Sequence, residues 1–176
     1  MMDKELESVF LSLGSNQGNR MEYIINAIQQ LRPLSEKPLR VSGIYETEPW
    51  GFTAPQSFYN LAAELKTKLT PGDFIMKILA IEATLGRKRT EDPGYQSRPI
   101  DIDILFFGEK IILSPELTVP HPQLHMRRFV LEPLAELAPL FVHPLIGKTV
   151  IELLDRCQDE GKVIYLSPFP RNGDIV

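Results

Sequence analysis

Arg98-Pro99-Ile100-Asp101-Ile102-Asp103-Ile104-Leu105-Phe106-Phe107 alternates apolar and acidic side chains as far as Ile104 and is wholly apolar beyond it. A period of two is the signature of a β-strand, on which residues two apart share a face. Asp101 and Asp103 therefore point one way, and Ile100, Ile102 and Ile104 the other. A bare Asp-x-Asp is more often a strand with one solvated face. Here the apolar continuation suggests a strand buried on both faces, hence a central one. Carboxylates on such a strand must be paired or metal-bound, because an isolated buried charge costs several kcal/mol.

Upstream, Ser8 to Leu13 reads as a strand stopped by the turn residues Gly14, Ser15, Asn16 and Gly18. Asn19 is positioned to cap a helix over Met21 to Leu31, which Pro33 ends. Val41, Ile44 and Tyr45 belong to a second strand, and Phe58 to Leu65 to a third. Thr70-Pro71 opens a second helix that reaches Leu85 and closes at Gly86. With Ile100 to Phe107 as the fourth strand, the order is strand-helix-strand-strand-helix-strand. That is the split pattern of a ferredoxin-like α+β fold, an antiparallel sheet with helices packed on it. A turn at Gly108-Glu109 leads to a brief apolar return over Ile111 to Leu113, and two further helices are expected over Val130 to Leu137 and Val150 to Cys157. No repeat or linker divides the chain. A single domain over 1–176 is expected, with a core at about 8–157 and a flexible tail at 161–176.

The balance of 43% hydrophobic and 24% charged residues in a 176-residue chain is that of an ordinary globular protein. A net charge of -4 gives the molecule no general attraction to nucleic acid or membrane, so a polyphosphate ligand needs a local cluster of cations. The N-terminal stretch lacks the apolar core of a signal peptide, and no run reaches the roughly 18 apolar residues of a membrane span. A cytoplasmic monomer is the expectation. Cys157, the single cysteine, excludes an internal disulfide and reads as structural.

Arg87, Lys88, Arg89 and Arg98 crowd the two aspartates in sequence. Cations after a helix C-terminus have a bland explanation in the helix dipole. Beside two carboxylates they suit phosphoryl transfer, in which cations hold the phosphate oxygens and metal ions bridge them. Two carboxylates on one strand face lie about 6.5 Å apart at Cα and can converge on hard cations such as Mg²⁺. His121, between Pro120 and Pro122, is a candidate donor to a nucleotide, with His125, Arg127 and Arg128 close behind; His143 reads as structural. Glu82, beside the apolar stripe of the second helix, is either a flank charge or a buried acceptor. Gly147-Lys148-Thr149 lacks the leading glycine of a P-loop, and neither a paired-cysteine zinc site nor a G-x-S-x-G elbow occurs.

Several stretches together resemble the 6-hydroxymethyl-7,8-dihydropterin pyrophosphokinase family. They are Leu13-Gly14-Ser15-Asn16, Tyr45-Glu46-Thr47-Glu48-Pro49, Phe58-Tyr59-Asn60-Leu61-Ala62, Ile81-Glu82 with Gly86-Arg87, and Arg98 to Leu105. Leu117 to Pro122 and Arg127 to Leu134 complete an ordered set spanning roughly residues 9 to 145. The resemblance implies transfer of pyrophosphate from ATP to the pterin hydroxymethyl group, a step of folate biosynthesis. It implies two Mg²⁺ ions on Asp101 and Asp103, with Arg89 and Arg98 as further catalytic groups. Thr47, Trp50, Phe58, Asn60 and Phe129 would form the pterin site. Glu82, Arg87, Ile104, Thr118, His121 and Arg127 would form the ATP site. A flat heterocycle with a polar edge calls for aromatic faces and an amide that both donates and accepts, which Phe58, Phe129 and Asn60 supply. The loop Glu91-Asp92-Pro93-Gly94-Tyr95-Gln96-Ser97 departs from the family pattern, with Tyr95 available as an aromatic wall. Another Mg²⁺-dependent nucleotidyl- or phosphotransferase of the same fold, or a binding module without turnover, stays open as an alternative.

Overall fold

A computed structural model describes residues 4–91 and 94–171. The expected order is present: β1 (Glu7–Ser15), α1 (Arg20–Leu31), a second strand in two pieces, β2 (Arg40–Val41) and β3 (Ile44–Thr47), then β4 (Phe58–Thr67), α2 (Pro71–Thr84) and β5 (Asp101–Phe107). There follow β6 (Ile112–Leu113), β7 (Thr118–Val119), α3 (Arg128–Leu137), α4 (Val150–Arg156) and β8 (Val163–Ser167). The main sheet runs β5-β1-β4-β3-β8 with every pair antiparallel, and β2 also lies against β4. This is the ferredoxin-like α+β arrangement with one strand added at the edge. The added strand comes from the stretch expected to be a flexible tail. Val163 to Ser167 is rich in strand-forming side chains, and Tyr165 packs edge-on against Tyr45, ring centres 5.4 Å apart. Residues 172–176 of that stretch, and 1–3 of the N-terminal one, lie outside the described residues. Among the described residues no helix is long and apolar enough to cross a membrane.

Local chemistry sets the helix ends. Asn19 Oδ1 accepts from the Glu22 N–H at 3.2 Å and starts α1. Thr70 Oγ1 accepts from the Asp73 N–H at 3.1 Å, with Pro71 in the first turn of α2. Gly86 ends the run at φ 90°, a left-handed conformation that glycine adopts without strain.

Alternation along the strands builds two cores. Val9, Leu11, Leu13, Leu61, Ala63, Leu65, Ile102, Ile104 and Phe107 face α1 and α2. Phe10, Ala62, Leu105 and Phe106 face α3 and α4. Leu105 and Phe106 are neighbours in sequence yet share the second core, because the register between β1 and β5 slips there and inserts a bulge. The apolar run after Ile104 is therefore a bulged strand, and β5 is the terminal strand of the sheet rather than a central one. Its outer edge is covered instead. The Ile102 N–H donates to Glu82 Oε1 at 2.8 Å, and the His121 N–H donates to the Leu105 carbonyl at 2.9 Å.

Glu64 of β4 is buried on the second face. Burial pushes its carboxyl up, but the Ser8 hydroxyl, Lys66 and then Arg40 outweigh that and hold it below the usual carboxylate range. A depressed carboxyl stabilises the fold above its unfolded pKa, and that contribution is lost as pH falls through the folded value. Glu64→Gln should therefore cost about 1–2 kcal/mol at pH 7. The variant should also show a shallower fall in melting temperature between about pH 5 and 3, which thermal scans across that range would check.

Candidate active site

α3 and α4 cover only the part of the second face around Phe10, Ala62 and Phe106. Strand register gathers polar and functional side chains on the rest of it. Asp101 pairs with Gly14 and Asp103 with Ser12, Gly14 pairs with Asn60, and Phe58 pairs with Thr47. Four strands thus deliver these groups to one surface, as the period of two requires.

One cavity there is lined by Thr47, Trp50, Phe52, Phe58, Asn60 and Phe129, and reaches Asp101 and Asp103. Its polar floor is fixed: Asn60 Nδ2 donates to the buried Thr47 Oγ1 at 2.6 Å. Gly14 makes room for this amide, since a Cβ there would stand 2.5 Å from Asn60 Oδ1. Gly14→Ala should turn the amide and weaken binding of a ring ligand about tenfold, the scale of one misplaced hydrogen bond. Titration followed by Trp50 fluorescence would measure it. Phe52 stands edge-on to Phe58, ring centres 6.1 Å apart.

A second cavity opens on the same two aspartates and is lined by Arg87, Arg89, Arg98, His121 and Arg127. Asp101 is already neutralised. Arg87 donates to its Oδ1, and Arg98 Nε lies 3.6 Å from its Oδ2. Asp103 has no such partner among the described residues, meeting only the His121 ring at 3.9 Å. Burial, and then the Asp101 charge, push the Asp103 carboxyl well above the ordinary range. Burial and the charge of Arg127 push His121 down to about 4, so its ring is neutral at pH 7. His121 Nδ1 accepts from the Gln123 N–H at 3.1 Å, which leaves the proton on Nε2, the atom turned toward Asp103.

Two further anion cues are unfilled donors: Arg98 Nε and Arg127 Nε are both buried without a hydrogen-bond partner among the described residues. Such groups are rare in proteins and fit an anionic ligand supplying the missing acceptor. A half-buried pair of carboxylates, one lacking a cation, fits a hard divalent metal equally well. Among the described residues no three His, Cys, Asp or Glu side chains gather into a ready metal cage. Phosphate oxygens and water would have to complete the coordination.

Glu82 is a buried acceptor rather than a flank charge, only 2% exposed. It lines neither cavity. Its carboxylate takes Arg87 and the Ile102 N–H on one oxygen and Arg89 on the other, at 2.9 Å, and so aims both arginines. Ile104 turns its side chain into the opposite core, and Thr118 lies on β7, outside both linings. Sequence reasoning missed three contributors. Asn16 accepts from the Arg98 N–H at 2.8 Å and donates to Ser97 Oγ at 3.1 Å, fixing the backbone of Arg98. Its place in a Gly-Ser-Asn turn was the available signal. Gln123 sits in the second lining, and Phe52 in the first, with no pattern to mark either.

A family model described as 7,8-dihydro-6-hydroxymethylpterin-pyrophosphokinase (HPPK) matches residues 10–139. The chain belongs to the HPPK family. It is 44% identical over 138 residues to the 2-amino-4-hydroxy-6-hydroxymethyldihydropteridine pyrophosphokinase of Porphyromonas gingivalis, covering 77% of this chain and 93% of that protein. The protein of the same name from Aquifex aeolicus is 39% identical over 147 residues, covering 84% and 90%. The folic acid synthesis protein fol1 of Pneumocystis carinii is 39% identical over 153 residues, which are 87% of this chain and 20% of that longer protein. A solved Plasmodium falciparum HPPK-DHPS shares the HPPK fold at a TM-score of 0.69 and 16% identity, over 89% of this chain and 45% of that one.

Proposed function

We propose that this chain transfers the pyrophosphoryl group of ATP to the hydroxymethyl oxygen of 6-hydroxymethyl-7,8-dihydropterin, releasing AMP. The observation that carries the reading is the shared floor of the two cavities. An aromatic slot with an amide at its base opens onto the same carboxylate pair as an arginine-lined pocket with unfilled donors. The names of the bacterial relatives supply the substrate class.

In this reading Phe58 and Phe129 stack the pterin faces, while Asn60, held by Thr47, reads its edge; Trp50 closes one side. Arg87, Arg98, Arg127 and the neutral His121 Nε2–H bind the phosphate chain, with Arg89 steadied beside them by Glu82. The hydroxymethyl oxygen is then held for in-line attack on the β-phosphorus. The bond from that phosphorus to the oxygen of the α-phosphate breaks, and AMP leaves. Asp101 and Asp103 would hold Mg²⁺, two ions by the family resemblance, and the metal would supply charge stabilisation to the group in transfer. Asp103 would thereby gain the cation it lacks. Most of the rate enhancement comes from positioning and from preset charge, with no obligate protein base.

Incubation with ATP, Mg²⁺ and the hydroxymethyl dihydropterin, followed by chromatography of the nucleotides, tests this reading. AMP and a pterin diphosphate in equal amounts are expected. ADP as the nucleotide product would mean transfer of a single phosphoryl group. Binding of both ligands without turnover would mean a binding module.

A further inference from the structure

Arg127 stands at the seam between the two cavities and lines both. Its side chain is 6% exposed. The guanidinium carbon lies 4.6 Å from the centre of the Trp50 ring and 5.8 Å from that of Phe129, so its charge is stacked into the wall of the aromatic slot. Its Nε has no hydrogen-bond partner among the described residues. A guanidinium between two sites is useful only if it keeps one orientation, and two residues outside the expected site set fix it. Nη2 donates to the Tyr95 hydroxyl at 2.6 Å and to Gln123 Oε1, and the Tyr95 hydroxyl donates to the same Oε1 at 2.9 Å. The three groups close a ring of hydrogen bonds in which every donor meets an acceptor. Tyr95 is also edge-on to Trp50, ring centres 5.6 Å apart, and packs over Gly51.

We propose that Tyr95 and Gln123 are positioning residues whose tie to Arg127 couples the occupancy of the phosphate pocket to the aromatic wall around Trp50. With one edge of the guanidinium held by Tyr95 and Gln123, the free Nε edge is presented to a phosphate oxygen, and any movement toward that oxygen is transmitted to Trp50. Without the tie the guanidinium can rotate between rotamers, and each turnover then needs its reordering. The inference rests on the functional reading above for the identity of the phosphate donor.

Trp50, the only tryptophan, reports on the tie directly. Wild type, Tyr95→Phe, Gln123→Leu and the double variant would be compared. Tyr95→Phe keeps the ring against Trp50 and removes only the hydroxyl. A non-hydrolysable ATP analogue alone should shift Trp50 emission in the wild type, and most of that shift should vanish in each variant, with a fall in melting temperature of only a few °C for the one hydrogen bond lost. In turnover each single variant should lose about tenfold in kcat, with KM for the pterin within twofold, and the double variant should lose no more than a single one. A wild-type emission indifferent to the analogue overturns the proposal. So does a double-variant loss equal to the product of the single losses. Absence of pterin diphosphate from the wild type would instead refute the functional reading, and the emission comparison would still decide the tie.

Discussion

Asp103→Asn should cut turnover about a thousandfold and at the same time raise the melting temperature of the metal-free protein. Its carboxylate sits within a buried patch, next to the Asp101 charge and without an arginine ion pair of its own among the described residues. A carboxyl whose pKa is raised in the folded state favours the fold below its unfolded pKa, and that contribution is lost as pH rises through the folded value. At pH 7 the ionised Asp103 is therefore a cost, and a neutral isostere removes it. Partial exposure reduces the gain to about 1 kcal/mol, or roughly 3 °C for a domain of this size. The same substitution removes half of the carboxylate pair proposed to hold Mg²⁺, for which a loss of about 10³-fold in kcat is expected. Mg²⁺ with an ATP analogue should stabilise the wild type and leave the variant unmoved. Calorimetry in chelator and then in Mg²⁺, alongside AMP release, reads all three effects. A variant less stable than wild type in chelator would show that Asp103 is held by protein contacts alone.

Glu82→Ala should damage both stability and activity, although Glu82 lines neither cavity. Removing it takes one of the two carboxylates from the buried Arg87, leaving Asp101 as its counter-charge, frees Arg89 and leaves the Ile102 N–H without an acceptor. Loss of one member of a buried charged network costs about 3 kcal/mol, or roughly 6–12 °C in melting temperature. Loss of aim in two arginines proposed to face the phosphates should lower kcat about 100-fold. Glu82→Gln separates the two roles. Its amide oxygen can still accept from Ile102, so part of the stability should return, whereas the arginines lose their counter-charge and activity should stay low. Full activity in the Gln variant would mean that Arg87 and Arg89 are held by something other than the Glu82 charge.

The sequence made the fold legible because its strands alternate and its helices carry their own stop signals. Thr70-Pro71 and Gly86 bracket α2, and Asn19 marks the start of α1. The error over β5 has a definite cause. A bulge puts two consecutive apolar residues on one face, and in sequence this is indistinguishable from a strand buried in the middle of a sheet. β8 escaped because its partner, β3, lies more than a hundred residues earlier and nothing local announces such a pairing. At the site, Asp101, Asp103, Asn60 and Phe58 share a face by strand period alone, whereas Phe129 reaches the slot from α3. Glu82, Asn16 and Gln123 act through hydrogen bonds to residues distant in sequence or on loops, and no periodicity encodes those.

One carboxylate pair lies at the floor of both cavities. The most direct measurement is a crystal structure with a non-hydrolysable ATP analogue, Mg²⁺ and the hydroxymethyl dihydropterin. Metal is expected on oxygens of both Asp101 and Asp103, phosphates on Arg98, Arg127 and His121, and the pterin between Phe58 and Phe129 with its polar edge on Asn60. A nucleotide base in the aromatic slot, or metal bound away from the two aspartates, would contradict that arrangement.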